Sequence, residues 1–232
     1  MNVFFASLAI YFIAACLAAY IFIPQLDWWL VKKRWKHRKN KIAALSFDDG
    51  PSEEWTPAIL DILKREKVSA TFFLVGEKVR ENPELAKRIR AEGHEIGNHT
   101  FDHRKISFNS GRKIALNLVS TSNEIAGAAG DMPRLVRTPH GFRRPFINKT
   151  AKRLGMQLVP WTKGIFDTDG AGPDLLLKRF SKKFQRLEIL LLHDGIAQAS
   201  ANESRSSTVQ VLPKIIEKYK KSEYEFRLIG DL

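Results

Sequence analysis

The 232-residue sequence is poor in cysteine, short of acidic residues relative to basic ones, and without a repeat of fixed period or a low-complexity linker. Its single cysteine, Cys16, excludes an internal disulfide framework and is silent on redox compartment. Acidic side chains number 25 against 38 Lys and Arg, so the formal charge is +13 and a polyanionic partner has to be considered. The deficit of acid is local. Residues 1–31 carry one charged side chain, Asp27, whereas Lys32, Lys33, Arg34, Lys36, Arg38, Lys39 and Lys41 follow with no acid among them. A hydrophobic content of 44% is ordinary for a globular core, and the length suits one sizeable domain with an appendage.

Val3 to Ile23 is a 21-residue run with no charge and no proline. As a helix it crosses a hydrocarbon core of about 30 Å. Pro24 ends it, Trp28 and Trp29 suit an interfacial belt, and the basic block comes next. A cleaved signal peptide fits less well, because a basic n-region is missing and the run exceeds the roughly 7–15 apolar residues of a signal core. Ile13-Ala14-Ala15-Cys16 loosely resembles a lipoprotein cleavage box, but the apolar run continues past it. The expectation is a single-pass membrane protein: a transmembrane anchor over residues 1–25, a basic juxtamembrane linker over 26–40, and a large domain over 41–232. With all nearby Lys and Arg on the C-terminal side, the positive-inside rule puts that domain in the cytoplasm. Extracytoplasmic placement is the alternative, since the basic block also suits anionic headgroups. An apolar span directly before the block argues against nucleic acid as its partner.

From Lys41 onward, strand and helix patterns alternate. Lys41 to Leu45, Val68 to Val75, His94 to Asn98, Arg134 to Arg137, Met156 to Val159, Leu187 to Leu192 and Tyr224 to Ile229 read as strands. Ser52 to Lys67, Pro83 to Ala91, Gly111 to Ala126, Asn148 to Leu154, Asp174 to Phe184 and Val209 to Tyr219 read as helices, the last starting later because of Pro213. Such alternation implies an α/β fold with parallel strands joined by crossover helices, about seven strands in all. The reactive residue types Asp48, Asp49, His99, Arg137, Asp167 and His193 all fall at strand C-termini, the face that carries the chemistry in α/β barrels.

Ser46-Phe47-Asp48-Asp49-Gly50-Pro51 places two adjacent carboxylates where a strand opens into a loop. Like charges there are costly unless a cation relieves them. His99-Thr100-Phe101-Asp102-His103 spaces two imidazoles so that, on a helical turn, both reach one ion. One oxygen from Asp49 with two such nitrogens is a normal catalytic zinc set; His-x-x-x-His alone is more often core or surface. These two motifs, followed by Arg137-Thr138-Pro139-His140-Gly141 and Leu191-Leu192-His193-Asp194-Gly195, resemble the ordered motifs of the polysaccharide deacetylase family. This is carbohydrate esterase family four, with its chitooligosaccharide deacetylase homology domain, and the resemblance spans about residues 41–232. It implies a distorted (β/α) barrel of seven strands and a metal-dependent carbohydrate N-deacetylase. By position it assigns the metal to Asp49, His99 and His103, the general base to Asp48 and the general acid to His193. Arg137 is expected to pair with Asp48, and the backbone near His140 and Gly141 to hold substrate or oxyanion. Zinc is the expected ion, and cobalt also fits this ligand set.

One stretch departs from the family pattern. Around Trp161-Thr162-Lys163-Gly164-Ile165-Phe166-Asp167-Thr168-Asp169, Asp167 aligns with the carboxylate that orients the catalytic histidine. Gly164 stands in place of an Asp and Thr168 in place of a Trp. Asp169 is a substitute for the orienting role, and Phe166, Phe142 or Trp161 for the missing apolar wall. Ser204-Arg205-Ser206-Ser207-Thr208 reads as a polar loop leading into a helix N-cap. Three functions follow: removal of N-acetyl or N-formyl from an amino sugar of a lipid-linked or membrane-proximal glycan; extracytoplasmic deacetylation of peptidoglycan or exopolysaccharide; and inactive glycan binding on the same fold.

Overall fold

The computed structural model describes Tyr11 and residues 40–104, 106, 109–141, 145–181, 184–196 and 204–232. The expected anchor apart from Tyr11, its aromatic belt, all of the basic block but Lys41, and Phe142 lie outside the described residues. Among the described residues no helix is long and apolar enough to cross a membrane.

The strand β1 (Lys41–Gly50) is the axis of the sheet and is buried at every position after Lys41. Its apolar run suits a parallel strand covered on both faces. On one side it pairs with β7 (Leu187–His193) from Ile42↔Leu187 to Asp48↔His193. On the other it pairs with β8 (Tyr224–Phe226) at its start and with β2 (Thr71–Leu74) from Ser46 onward. Beyond β2 lie β3 (Glu95–Asn98), β4 (Leu135–Val136) and β5 (Gln157–Leu158); β6 (Lys163–Gly164) flanks β7. The order is β5-β4-β3-β2-β1-β7-β6 with β8 off this path, and every ladder is parallel.

The expected barrel is therefore a curled sheet whose end strands do not pair among the described residues. Its seam is crossed by Val159–Thr162: Val159 N–H donates to Val136 O and Thr162 N–H to Ile189 O, so four residues carry the chain from one edge to the other.

Side chains alternate along β1. Ala43, Leu45 and Phe47 join the larger core beneath the helices, with Ile59, Leu63, Ile215 and Tyr219. Ala44 joins Phe73, Leu135, Val159 and Ile189 in a second cluster. Ser46 and Asp48 share the parity of Ala44, and this row ends in the site.

The helices are α1 (Trp55–Glu66), α2 (Gly76–Glu81), α3 (Pro83–Ala91), α4 (Gly111–Ala129), α5 (Pro145–Arg153), α6 (Pro173–Phe180) and α7 (Ser206–Lys221). The six-residue α2 and the two-residue β6 carry too little periodicity to be read from sequence. Helix α7 starts at Ser206, so Pro213 lies inside it. Its missing N–H costs about 3 kcal/mol. Val211, Leu212, Ile215, Ile216 and Tyr219, all buried, outweigh this at roughly 1.5–3 kcal/mol each. Arg205, not a serine, occupies its N-cap position and makes no side-chain cap bond.

Candidate active site

Adjacent residues of a strand face opposite ways, yet Asp48 and Asp49 both reach one cavity. Asp48 pairs with Phe73 and Gly50 with Leu74, leaving Asp49 as an extra, bulged residue with φ +73°. The bulge turns both carboxylates toward His99, whose Nε2 lies 3.2 Å from Asp49 Oδ1 and 3.7 Å from Asp48 Oδ2. His103 Nε2 lies 3.0 Å from the same Asp49 oxygen. The two histidines do not sit on a helical turn as their spacing suggested. Thr100 (φ +69°) and His103 (φ +52°) are left-handed, and the loop bends both rings onto one point. Three hydrogen bonds fix that bend: Asn98 Oδ1 accepts from Thr100 N–H, Asn117 Oδ1 from Phe101 N–H, and Asp102 Oδ1 from Asn117 Nδ2.

The donor set fits a cation. His99 Nδ1 is 2.8 Å from Arg137 O, and a carbonyl only accepts, so Nδ1 carries the hydrogen. In the neutral ring, Nε2 then points a lone pair at Asp49 Oδ1, a buried oxygen with no hydrogen-bond partner. The ligand atoms of Asp49, His99 and His103 all lie within 4.8 Å of one another. Positive charge must occupy that space, as protons on the rings or as a metal ion in their place. Burial opposes ionisation of Asp49, but His103 and His99 outweigh it and hold its carboxyl well below the usual range. Burial likewise pulls His99 down, and Asp48 and Asp49 push it back above its ordinary value.

Arg137 leaves β4 and reaches across the inside of the sheet. It is 1% exposed, so its ion pair with Asp48 is not a surface one. Its Nη1 donates to Asp48 Oδ1 (2.7 Å) and Ser46 Oγ (2.8 Å), while Nε and Nη2 reach the Val159 and Pro160 carbonyls of the seam. Its plane lies over the Phe73 ring at 4.1 Å. One face and one oxygen of Asp48 are thus fixed.

His193 stands beside Asp48 in register, one strand over. Its Nδ1 is 2.8 Å from Asp167 Oδ1, and its backbone N–H donates to Asp167 Oδ2 (2.9 Å). Thr208 Oγ1, from the first turn of α7, donates to that second oxygen at 2.8 Å. Burial depresses the His193 imidazole, but the Asp167 charge and hydrogen bond, with Asp49 and Asp48, raise it from 6.5 to about 9. Asp167 itself is penalised by burial and held low by His193 and Thr208. Asp169 does not share this duty: it pairs with Arg179 at 2.6 and 3.0 Å on the surface.

His140 (φ +58°) sets its ring edge-on to His103, centroids 5.1 Å apart. Gly141 is not an oxyanion donor, because its N–H is engaged by Thr138 O in the Pro139–Gly141 turn. Its role is conformational: φ is +71°, and a Cβ there would lie 2.4 Å from the Trp161 ring. Arg137, Thr138, His140, Pro160 and Trp161 line a cavity of about 260 Å³ beside the site. Trp161 therefore supplies an apolar wall, whereas Phe166 is 71% exposed. His94 is structural: its Nδ1 accepts from Ala70 N–H and its ring meets Phe72.

Residues 36–159, just over half of the chain, match the family profile described as polysaccharide deacetylase. The chain belongs to the polysaccharide deacetylase family. Hydrolysis of an N-acyl bond on a carbohydrate is this family's reaction, and the Asp-His-His cluster suits its divalent metal. The deacetylase is 37% identical to a peptidoglycan-N-acetylglucosamine deacetylase of Bacillus cereus over 85% of this chain and 91% of that one. It is 31% identical to a chitooligosaccharide deacetylase of a Bradyrhizobium species, over 81% and 89%. Among solved structures, the Bc1960 peptidoglycan N-acetylglucosamine deacetylase, bound to an N-hydroxybenzamide, superposes with TM-score 0.78 at 30% identity, covering 83% of this chain and 88% of that one. A family-four pseudoenzyme from Bacillus anthracis superposes with TM-score 0.76 at 32% identity, over 84% and 66%.

Sequence reasoning missed several residues that position this deacetylase's site. Ser46, Asn98, Asn117 and Thr208 bond the reactive side chains or their loops. Asp194 accepts from Thr56 Oγ1 (2.6 Å) and lies against Gly50, where a Cβ would come within 2.2 Å of its carboxyl. Ser46 was legible in principle, as it shares the face of Asp48.

Proposed function

We propose that this protein removes acetyl groups from N-acetylglucosamine units of a cell-wall glycan, with its large domain outside the cytoplasmic membrane. The observation that carries the chemistry is the lone-pair convergence of Asp49, His99 and His103 beside an Arg137-paired Asp48. The relatives that act on peptidoglycan and chitooligosaccharides support the substrate class.

Asp49, His99 and His103 would hold the divalent ion, which polarises the amide carbonyl and acidifies water when bound. Asp48 accepts the proton of the attacking water through Oδ2, since Arg137 holds Oδ1. Arg137 also keeps the carboxylate's rotamer fixed. His193, protonated at neutral pH, gives its Nε2 proton to the nitrogen as the C–N bond breaks, yielding a free amine and acetate. Asp167 holds the ring in the tautomer and orientation that this needs. The register of β1 and β7 sets acid and base side by side on neighbouring strands.

The block of seven basic residues after residues 3–23 favours a second reading, a lipid-linked amino sugar at the cytoplasmic face. Both are tested on the purified full chain by measuring bound metal and then acetate release. Release from peptidoglycan or N-acetylglucosamine oligomers, blocked by an N-hydroxybenzamide, supports the first. Release only from a lipid-linked N-acetylhexosamine replaces it with the second. Bound metal with no acetate from either refutes both and leaves a glycan-binding role. A reporter fused at the C-terminus gives the membrane side.

A further inference from the structure

Three of the loops that build the site meet at α2. Gly76 N–H donates to Thr100 O (3.0 Å) and Glu77 N–H to Phe101 O (2.9 Å), so the first turn of α2 clasps the loop between His99 and His103. Just before it, Val75 N–H donates to Gly50 O (2.8 Å). One residue further on, Lys78 Nζ donates to Asp49 O at 2.6 Å and to Ile196 O at 2.7 Å. Asp49 belongs to the loop with the metal-binding carboxylate, Ile196 to the loop that follows His193.

The Asp49 carbonyl is confined from two sides. Gly195 packs its backbone on it, so that a Cβ at Gly195 would lie 2.1 Å from that oxygen. Lys78 holds it from the other side. Asp49 is a non-glycine residue at φ +73°, a conformation that persists only where the surroundings over-determine it. The carbonyl of Gly195 is taken by the buried Arg205, whose Nε donates at 2.9 Å. Two cations thus hold the two successive carbonyls behind His193, and Lys78 also reaches Asp49.

We propose that Lys78 is a positioning residue for deacetylation. One ammonium ties the backbone of the metal-binding Asp49 to the loop of the acid His193 and so fixes the separation of metal centre and proton donor. The attacked carbon has to lie between those two groups, and a misplacement of about 1 Å costs on the order of 100-fold in rate. A lysine that only tied down a surface loop would not join these two acceptors.

The inference rests on the reaction assigned above, and its test separates the two. Lys78→Met keeps the chain length and removes the donors; Lys78→Arg keeps charge and donors. Both are made in the full chain, loaded with Co²⁺ for spectroscopy and Zn²⁺ for kinetics. For Lys78→Met the expected results are a cooperative melt and kcat on N-acetylglucosamine oligomers lower by about 100-fold. KM should stay within roughly threefold and the Co²⁺ visible spectrum should change, because the ligand carboxylate has moved. Lys78→Arg should restore the wild-type spectrum and most of kcat. A Lys78→Met protein with wild-type kcat and spectrum overturns the proposal. So does an equal loss of kcat in both variants that follows an equal drop in Tm, which leaves Lys78 a purely structural tether. Should the wild type release no acetate at all, the deacetylase reading fails, and the Co²⁺ spectra alone decide whether Lys78 positions the metal ligands.

Discussion

Asp167→Asn isolates the electrostatics of the acid. His193 is buried, which by itself lowers its pKa, yet it rises from 6.5 to about 9. Asp167 is the largest raising influence, 2.8 Å from Nδ1 and itself fully buried. A rise of that size corresponds to ~3 kcal/mol favouring the imidazolium, at about 1.4 kcal/mol per factor of ten. Asparagine keeps the shape and an acceptor but removes the charge, so burial prevails and His193 falls to or below 6.5. A divalent ion at Asp49 cancels that residue's raising effect, so the wild-type alkaline limit lies between 6.5 and about 9. At pH 7.5 an imidazole of pKa near 6 is about 3% protonated, and kcat should drop by up to about 30-fold. The stability sign follows. A raised histidine contributes most below pH 6.5 and loses that contribution as pH climbs through 9; its partner Asp167, held low, contributes above its ordinary value and loses it on acidification. The assay is kcat against pH from 6 to 10 at saturating metal, with an NMR titration of the His193 ring. A folded, metal-loaded Asp167→Asn protein with an unmoved alkaline limb would refute the assignment.

Asp48→Asn should retain metal and lose on the order of 10³-fold in kcat, whereas His99→Ala should lose metal and activity together; metal analysis beside acetate release distinguishes them. Chelation should abolish activity, and added Zn²⁺ or Co²⁺ should restore it, in an assay of the dialysed protein. Arg137→Met leaves Asp48 buried without its partner and should cost about 3–5 kcal/mol in denaturant unfolding, with activity lost. Gly141→Ala forces a Cβ toward Trp161 at φ +71° and should cost roughly 2 kcal/mol by the same measurement.

The reactive side chains were legible because each sits at the end of an apolar run, and the order of the motifs carried the rest. Alternation along β1 gives Ser46 and Asp48 one face, and no more than a bulge at Asp49 is needed to add its neighbour. What could not be read was how the loops close. His-x-x-x-His suggested a helical turn, but two left-handed residues supply the convergence instead, and left-handed threonine and histidine have no sequence signature. Asp169 seemed able to replace Asp167 until its pairing with Arg179 was visible. Lys78 and Thr208 are single polar residues in helices, unmarked by spacing, and acquire meaning only from partners 29 to 118 residues away. The anchor at residues 3–23 remains a statement about composition.

The direction of β1 has a consequence for reach. The chain enters the domain at Lys41, at one end of the sheet, and arrives at Asp48 and Asp49 at the other. Ten residues of strand measure about 33 Å. Residues 1–40 therefore join the domain at the end remote from the cleft. A protein immobilised through its N-terminal side should therefore keep its cleft open, and its acetate release from soluble oligomers should match that of the free protein.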